Sequence, residues 1–475
     1  MTSQTPHTRH ANPELPAPPT VDPAAMHRLT PEMAHLAESI LQAVLARQRE
    51  DPWPLGATRS FDELSAHVGQ TVTAAGLGPE GALRLWQEHL QPANVAVDHP
   101  GYLAFIPHAP TEAAVFFDML ISGLAIYAGS WLEASGATYA ENQALRWLAD
   151  LAGYPAEAGG TFVQGGTLGN LSALHTARSA ALRKRIGERP ARWQVAASAE
   201  AHSSITQAAR VLDIDVLDVP VNNEYRLTAE GLRQAIAVSG HDGLFAVVAS
   251  AGATNLGVID DLAGVAAVCR EHGLWMHIDG AYGLGALASP PRQALFAGIE
   301  HSDSFIVDPH KWLFAGYDAC ALVYRDPAEA RAAHSQSAAY LDALNARNEW
   351  NPADYAVQLS RRARGLPFWF SLAVHGTAAY ADAIEATLTL TAQAVAAIRA
   401  NPDLEVVIKP DLSAIVFRRR GWGSEDYDRW AADLLEAGTA FVMPTRFRGE
   451  PAARLVLLNP RTTFADIERV LDAMA

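Results

Sequence analysis

Lysine is rare in this chain, and the surroundings of one lysine suggest covalent chemistry. Lysine and arginine together number 36, but only Lys184, Lys311 and Lys409 are lysines. Lys311 stands between two apolar stretches, SFIVDPH and WLFAG, whereas Lys184 lies in a basic helical run and Lys409 beside a proline. A desolvated lysine amine can lose its proton and form a Schiff base, which an arginine cannot do. Lys311 is therefore the candidate covalent residue, with a surface lysine whose stem is partly buried as the alternative.

Polar residues elsewhere in the sequence could complete a site around such a lysine. Asp279 ends the apolar segment WMHID, Gly166 and Thr167 open a predicted helix, and His202 stands before another helix. Pyridoxal 5'-phosphate (PLP) needs four groups: a lysine, a carboxylate against its pyridine nitrogen, an anion-binding turn for its phosphate and a plate against its ring. Each feature alone also has an ordinary interpretation, as a turn cap, a strand-to-helix turn or a buried histidine. Their combination predicts a PLP enzyme.

Short apolar segments alternate with helical ones between about residues 160 and 325. FVQGG, WQVAAS, DVLDVPV, LFAVVAS, LWMHID, SFIVD and CALVYR have the composition of buried strands. The alternation predicts an α/β fold with a mostly parallel sheet covered by helices. Ligands of such sheets bind beyond the carboxyl ends of the strands, which is where Thr254, Asp279 and Lys311 fall.

The patterns along the chain predict four parts. The N-terminus is rich in Pro and Thr and has no apolar signal-peptide core, which indicates a disordered leader. After about residue 370, longer helices precede the strand-like segments LEVVI, SAIVFR, AFVMPT and RLVLL. We expect a leader at 1–26, an N-terminal helical segment at 27–110, a large PLP-binding domain at 111–365 and a small α+β domain at 366–475.

Composition argues against several classes of partner. A formal net charge of -16 disfavours nucleic acid or an anionic membrane surface, because both select for basic patches. Cys269 and Cys320 each lie in an apolar run, which indicates reduced core residues rather than a disulfide or a metal site. No stretch predicts a transmembrane helix. We expect a cytoplasmic protein that uses no metal.

The chain resembles the group II PLP-dependent decarboxylases, the family of aromatic-L-amino-acid, glutamate and histidine decarboxylases. The resemblance runs from about Asp98 to the C-terminus. It is most specific in DSFIVDPHKWLFAGYDACALVYRD, whose PHKW is similar to the family's cofactor-lysine motif. HPGYLAFIPHAPTEA, VQGGTLGN, AHSS, SAGATNLG, HIDGAYG and SRRARGLPFWFSLAVHG are further segments in the family's order. The resemblance implies the type I fold of aspartate aminotransferase.

The resemblance also implies roles for individual residues around the cofactor. Lys311, Asp279 and His202 would be catalytic, with Lys311 bound to PLP, Asp279 on the pyridine nitrogen and His202 stacked on the ring. Asp308 departs from the pattern, because the best-studied animal aromatic decarboxylases have asparagine there. The implied cofactor-binding residues are Lys311, Asp279, Ala281, His202, Gly166, Thr167, Thr254 and His310.

A second set of residues is implied on the substrate side. Phe105, Pro107 and His108 would contact the substrate side chain, and Arg454 would lie near its α-carboxylate, with a strand-edge cation as the alternative. Residues 332–358 align loosely with the family's mobile loop, whose tyrosine protonates the substrate Cα. Tyr340 is the best match for that catalytic tyrosine, and Tyr355 is its rival.

We therefore expect decarboxylation of an L-amino acid to its amine and CO2. The apolar run Phe105–Pro107 favours an aromatic substrate such as tryptophan, tyrosine or Dopa. The alternatives are an acidic or other substrate (Glu, Asp or 2,4-diaminobutyrate), an oxidative aldehyde synthase, and a PLP-binding homologue without turnover. The family implies a homodimer, for which the apolar residues of the first predicted helix are suited: Leu36, Ile40, Leu41, Val44 and Leu45.

Overall fold

A computed structural model describes residues 22, 24–185, 187–336 and 349–475. As far as it is described, the chain divides into two compact units, one of residues 1–51 with 59–93 and the other of residues 52–58 with 94–475. The predicted leader lies almost entirely outside the described residues. It stays a prediction, as do the other predicted domain boundaries.

The secondary-structure elements described in the N-terminal unit are all helical. Thr30 caps its first helix by accepting the N–H of Met33, and Ser60 forms a reciprocal capping box with Glu63 at the second helix. Within the described residues of these helices, no side chain is buried. The elements are Ala25–His27 (3₁₀), Pro31–Arg49, Phe61–Val68, Gly78–Leu85, the π-helical turn Trp86–Leu90 and Gln91–Ala93 (3₁₀).

The second unit is built on a large, mostly parallel sheet, as the sequence predicts. Within the described residues this sheet has seven strands in the order β1-β7-β6-β5-β4-β2-β3, and β7 alone runs antiparallel to its neighbours. Every residue of β4, β5 and β6 is buried, as expected where helices cover both faces. The strands are β1 Gly159–Val163, β2 Gln194–Ser198, β3 Asp215–Val219, β4 Leu244–Ser250, β5 Trp275–Asp279, β6 Ser304–Val307 and β7 Cys320–Tyr324.

Helices cover this sheet and connect its strands. The helix Gly166–Lys184 packs against β4, β5 and β6, the three central strands. The helix Leu366–Ala400 contacts Glu112–Leu124 and Trp131–Leu151 and continues, past a break at Gly376 (φ +74°), to the smaller sheet. The other helices are Ser203–Leu212, Ala229–Ser239, Leu262–His272 and Pro327–His334, with 3₁₀ segments at Gly283–Ala288, Pro290–Phe296, Ile299–His301 and Pro352–Tyr355.

A smaller antiparallel sheet follows near the C-terminus. Its described strands are β8 Leu404–Val406, β9 Ala414–Arg419, β10 Thr445–Phe447 and β11 Glu450–Val456, in the order β10-β11-β9-β8. The helices Ser424–Glu436 and Phe464–Asp472 close its apolar core.

One predicted strand of the small domain is wrong. Only the last residue of AFVMPT, Thr445, lies in a strand, because β10 begins after Pro444, whose nitrogen has no hydrogen to donate to a ladder. Phe441 instead forms an isolated parallel bridge to Tyr102.

The described part of the chain contains no helix whose length and hydropathy would suit it to cross a bilayer.

Candidate active site

Three parallel strands of the large sheet end side by side and bring distant residues together. Ser250 at the end of β4 pairs in register with Asp279 at the end of β5, and Asp279 pairs with Ile306 of β6. Lys311 follows β6 by four residues. The carboxyl ends of parallel strands form the usual binding edge of such a sheet.

A cavity of about 310 Å³ lies at this edge, a size within the range of small-ligand sites. The structure brings the predicted cofactor residues together, because all of them are among the described residues that line this cavity. They are Gly166, Thr167, His202, Thr254, Asp279, Ala281, His310 and Lys311.

A glycine turn forms one wall of the cavity. Gly165 has φ +94°, which a residue with a side chain rarely adopts, and its N–H donates to the carbonyl of Val163 at 2.9 Å. The helix that starts at Gly166 leaves its first N–H groups without partners inside the helix. A Cβ at Gly166 would lie 3.2 Å from Asp308 Oδ2 and 3.3 Å from Ala281 Cβ. The glycine therefore keeps open a cradle lined with N–H donors, which suits an anion.

Lys311 is held by an ion pair inside the cavity. Its Nζ lies 3.0 Å from Asp308 Oδ2, and the Asp308 side chain is only 2% exposed. Burial by itself would lower the pKa of Lys311, but Asp308 and, more weakly, Asp279 raise that pKa overall. The Asp308 pKa is lowered, because the Lys311 and His310 charges outweigh burial. By contrast, Lys184 is 71% exposed and pairs with Glu329 on the surface.

Both carboxylate oxygens of Asp279 are held by donors. Oδ1 accepts the backbone N–H of Ala281 at 3.2 Å, and Oδ2 accepts an Asn170 side-chain N–H at 2.9 Å. The residue is buried, with 7% exposure, and it lines the cavity. A fixed carboxylate in this place can receive a hydrogen bond from a ring nitrogen.

His202 combines two functions that the sequence offered as alternatives. It caps the helix Ser203–Leu212, because its Nδ1 accepts the backbone N–H of Ser204 at 3.2 Å. The same residue lines the cavity. The cap therefore orients the imidazole toward the site.

The residues predicted on the substrate side are not among the described residues that line the cavity. Phe105 is 54% exposed, and Pro107 and His108 are buried. His108 donates from Nδ1 to the carbonyl of His310 at 2.6 Å, and its ring packs on the cavity residue Tyr317 with 4.3 Å between centroids. Burial lowers the pKa of His108 to about 4, so this ring is neutral near pH 7.

Arg454 is a buried cation that contacts carbonyl groups. Its guanidinium donates to the backbone oxygens of Phe105 at 2.7 Å, Asn255 at 3.2 Å and Thr254. The residue is 7% exposed, and no described carboxylate forms an ion pair with it. Burial lowers the Arg454 pKa to about 10.

The candidate loop tyrosines differ in what the structure describes. Tyr340 lies outside the described residues. Tyr355 is 3% exposed and stacks on Trp350 with 4.2 Å between ring centroids. Burial raises its pKa, and it is not among the described cavity residues.

Sequence reasoning did not single out several residues of the cavity wall. Asn170 lies four positions after Gly166 on the same helix, a spacing that could have placed it beside the phosphate turn. Tyr317 and Asp318 also line the cavity, but no local pattern distinguishes them from other loop residues.

The donor set of this cavity fits PLP. It offers an amine at Lys311, a fixed carboxylate at Asp279 and a glycine turn at a helix start, all lining one space. In addition, Asp308 Oδ1 is buried without a hydrogen-bond partner among the described residues, so a further donor can be received there. With the fold, these features define a PLP-dependent enzyme of type I.

Comparison with known proteins identifies the family. The pyridoxal-dependent decarboxylase conserved domain matches residues 86–420. An aromatic-L-amino-acid decarboxylase of Bacillus atrophaeus is 30% identical over 88% of this chain and 89% of its own length. An L-2,4-diaminobutyrate decarboxylase of Rhizobium meliloti (strain 1021) is 34% identical over 80% of this chain and 78% of its own.

Solved structures agree in fold. The crystal structure of Oryza sativa TDC with PLP and tryptamine superimposes with a TM-score of 0.87, at 22% identity, over 94% of this chain and 99% of that chain. The chain belongs to the pyridoxal-dependent decarboxylase family, and it is a PLP-dependent carboxy-lyase.

Proposed function

We propose that this carboxy-lyase converts an aromatic L-amino acid to its amine and CO2. The observation that carries the substrate class is the charge of the cavity wall. Asp279, Asp308 and Asp318 line the cavity, and Lys311 is the sole lysine or arginine among its described lining residues. An acidic side chain would therefore find no unpaired cation among the described lining residues, whereas an aromatic side chain needs none.

Aromatic surface next to the cavity supports the same class. Tyr317 is 51% exposed, and its ring centroid lies 4.3 Å from that of His108 and 4.8 Å from that of His310. Phe105 is exposed as well, and its ring lies 6.0 Å from that of Phe441. Such rings offer stacking and edge contacts to an aromatic substrate.

The residues around the cavity divide the work of the reaction. PLP, when bound, accepts the electron pair released as the Cα–carboxylate bond breaks. Lys311 would hold the cofactor covalently, Asp279 would hold its pyridine nitrogen, and the helix start at Gly166 would bind its phosphate.

Arg454 would bind the α-carboxylate of the substrate. A buried guanidinium whose described partners are all carbonyl groups lacks a counter-charge, and a substrate carboxylate would supply one.

We propose Tyr340 as the residue that delivers the proton to Cα. Its rival, Tyr355, is buried against Trp350 and does not line the described cavity, which favours Tyr340. In Tyr340→Phe we expect product to shift from amine toward aldehyde, because Cα would lack its proton donor and would instead be oxidised by dissolved O2, which releases aldehyde, ammonia and hydrogen peroxide along with CO2. Mass spectrometry of the products tests this, and unchanged amine output would remove Tyr340 from the mechanism.

A diamino acid is the second candidate substrate, because a diaminobutyrate decarboxylase is among the relatives and Asp318 could pair with an ammonium group. However, Asp318 already accepts a hydrogen bond from Arg364 Nε at 2.6 Å. Its charge is thereby neutralised, which favours the aromatic substrate.

We also propose that the enzyme acts as a homodimer. Ile40 and Leu41 of the helix Pro31–Arg49 are 39% and 41% exposed, and none of the described residues of this helix is buried. A second copy would cover these apolar side chains. Size-exclusion chromatography that finds only monomer would contradict this.

Product analysis by mass spectrometry tests the proposed substrate class. Purified protein with PLP is given Trp, Tyr, Phe, Dopa, Glu, Asp, His and 2,4-diaminobutyrate separately. We expect amine from an aromatic member. Amine from 2,4-diaminobutyrate alone would replace the proposal with the second candidate, aldehyde with peroxide would indicate the oxidative reaction, and bound cofactor without any product would indicate a homologue without turnover.

Arg364→Gln sharpens the choice between the two substrates. It frees the Asp318 carboxylate, so kcat/KM for 2,4-diaminobutyrate should rise relative to that for the aromatic substrate. Arg362→Gln is the matched control, because Arg362 pairs with Asp118 and neither residue lines the described cavity. If kcat/KM for 2,4-diaminobutyrate relative to that for the aromatic substrate is the same in Arg364→Gln and Arg362→Gln, Asp318 does not face the substrate side chain.

A further inference from the structure

Asn170 joins three elements of the active site through its side-chain amide. It lies on the helix Gly166–Lys184, is 1% exposed and lines the cavity. Its Oδ1 lies 2.9 Å from His277 Nε2, and its Nδ2 lies 2.9 Å from Asp279 Oδ2 and 2.8 Å from Ser204 Oγ. The amide thus contacts β5 twice and the helix Ser203–Leu212 once.

The Asp279 carboxylate and His277 together fix which way the amide of Asn170 points. An amide oxygen only accepts hydrogen bonds, so His277 must donate from Nε2. Burial lowers the pKa of His277 to about 4, so the ring is neutral near pH 7 and its Nδ1 accepts. Ser304 Oγ lies 2.8 Å from that Nδ1 and itself accepts the indole N–H of Trp275 at 2.9 Å. Reversing the amide would set its oxygen against the carboxylate of Asp279, with no hydrogen between them.

The two hydrogens on Asn170 Nδ2 then go to opposite sides of the site. One is donated to Asp279 Oδ2 and the other to Ser204 Oγ. Because Ser204 Oγ accepts from Asn170, its own hydrogen is available for His202 Nδ1, 2.9 Å away. The same Nδ1 also accepts the backbone N–H of Ser204, so Nδ1 carries no hydrogen and the ring N–H is on Nε2. The donor-to-acceptor direction is therefore fixed for every hydrogen bond in the series that runs from Trp275 to His202.

We propose that Asn170 is a positioning residue that couples Asp279 to His202, orienting the carboxylate and directing the hydroxyl hydrogen of Ser204 to the imidazole Nδ1. The inference rests on the proposed function, in which Asp279 meets the pyridine nitrogen and His202 meets the cofactor ring. The coupling is strong because each side chain in this hydrogen-bonded series is buried or partnered. Breaking one of the hydrogen bonds would leave an unsatisfied polar group.

Asn170→Leu removes both hydrogen bonds at nearly constant volume. We expect the Kd for PLP to rise about 10- to 100-fold, as for the loss of a hydrogen bond to a charged group. We also expect a changed visible spectrum of the bound cofactor. Thr176→Val is the matched control: Thr176 is fully buried on the same helix and makes hydrogen bonds to Ser172 and His334 away from the cavity. This control should leave both readouts unchanged.

The imidazole itself provides a readout that does not depend on turnover. In protein labelled with ¹⁵N-histidine, the two ring-nitrogen shifts of His202, assigned with His202→Gln, should report the Nε2–H form with and without PLP. Asn170→Leu and Ser204→Ala should both change the Nδ1 shift, because Nδ1 loses the directed hydroxyl hydrogen of Ser204 and keeps only the backbone N–H of residue 204 as a fixed donor. Ser204→Ala cuts only the His202 branch, so it should change the Kd for PLP less than Asn170→Leu does.

These outcomes separate the inference from the proposed function. If Asn170→Leu does not fold, Ser204→Ala still tests the imidazole branch. His277→Phe, which removes the donor that orients the amide, should then reproduce the spectral change. An unaltered His202 Nδ1 shift in Ser204→Ala, or a Kd in Asn170→Leu no worse than in Thr176→Val, would overturn the coupling. If the Nδ1 shift changes as expected but no substrate yields amine, the coupling stands and the proposed function fails.

Discussion

Two helices of equal length differ completely in how they are packed. Pro31–Arg49 and Gly166–Lys184 each have 19 residues, all of them described. The first buries none of its side chains, although it carries Leu36, Ile40 and Leu41 at helical spacing. The second buries eight, including Asn170 and Leu174. The difference lies in what each helix packs against, not in length.

Small residues explain the close packing of the second helix. Gly169 lies so near β6 that a Cβ there would be 2.8 Å from a methyl carbon of Ile306. This close approach brings Asn170 within hydrogen-bond distance of β5. The first helix instead carries Leu36, Ile40 and Leu41 at helical spacing with none of them buried, which suits it to the contact with a second copy proposed above.

The largest effect should come from the cavity. In Lys311→Ala we expect at least a thousandfold loss of amine formation, because the covalent attachment of PLP is lost. Borohydride reduction followed by mass spectrometry should find no pyridoxyl group on this variant, whereas Lys184→Ala should be labelled as the parent protein is. A label retained in Lys311→Ala would point to Lys184 or Lys409.

The same truncation in each of the two helices should give very different stability losses. Leu174 is fully buried, so Leu174→Ala should lower the free energy of unfolding by about 2–5 kcal/mol through a cavity. Leu41 is 41% exposed, so in the monomer Leu41→Ala should cost less than about 0.5 kcal/mol. Urea unfolding of dilute protein measures both values, and equal losses would contradict the comparison.

Charge on the first helix should break the proposed dimer. For the double variant Ile40→Asp with Leu41→Asp we expect a monomer in size-exclusion chromatography, because the interface would otherwise bury two carboxylates. We also expect its activity to fall by a factor of about ten or more. Glu38→Gln on the same helix is the control and should stay dimeric. A double variant that remains a dimer would show that other residues form the interface.

The smallest effect concerns pH. Burial lowers the pKa of His334 to about 4, below the value of about 6.5 expected in the unfolded chain. The unfolded state therefore binds more protons between these values, and stability should fall as pH drops from 6.5 toward 4, at up to about 1.4 kcal/mol per pH unit for each such histidine. His334→Gln should reduce the difference in unfolding free energy between pH 7 and pH 5.5 by about 1 kcal/mol. An unchanged difference would mean that the His334 pKa is not lowered by folding.

Much of the fold could be predicted from local pattern. The seven segments predicted as strands of the large sheet all contain strands, because fully buried strands leave continuous apolar runs in the sequence. AFVMPT has the same composition, yet Pro444 and the contact of Phe441 with Tyr102 keep it out of the ladder. That contact joins residues more than 300 positions apart, so no local pattern carries it.

The candidate site was predictable where chemistry restricts residue type. Lys311 and Asp279 could be proposed from what PLP requires, and the strand order brings them to one edge. The network of Asn170 was not predictable, because its partners come from β5 and from the helix Ser203–Leu212, and only the folded chain sets their distances. The roles of Tyr340 and Arg454, the homodimer and the cytoplasmic location stay predictions.

The scarcity of accessible lysine has a consequence for how the enzyme acquires its cofactor. The aldehyde of PLP condenses with any unprotonated primary amine, so surface lysines of ordinary proteins scavenge it without benefit. Here Lys184 is engaged by Glu329, and Lys409 is the other exposed lysine side chain. Few misdirected adducts can therefore form on the described lysines, and a larger share of the aldehyde would reach Lys311, the proposed attachment site.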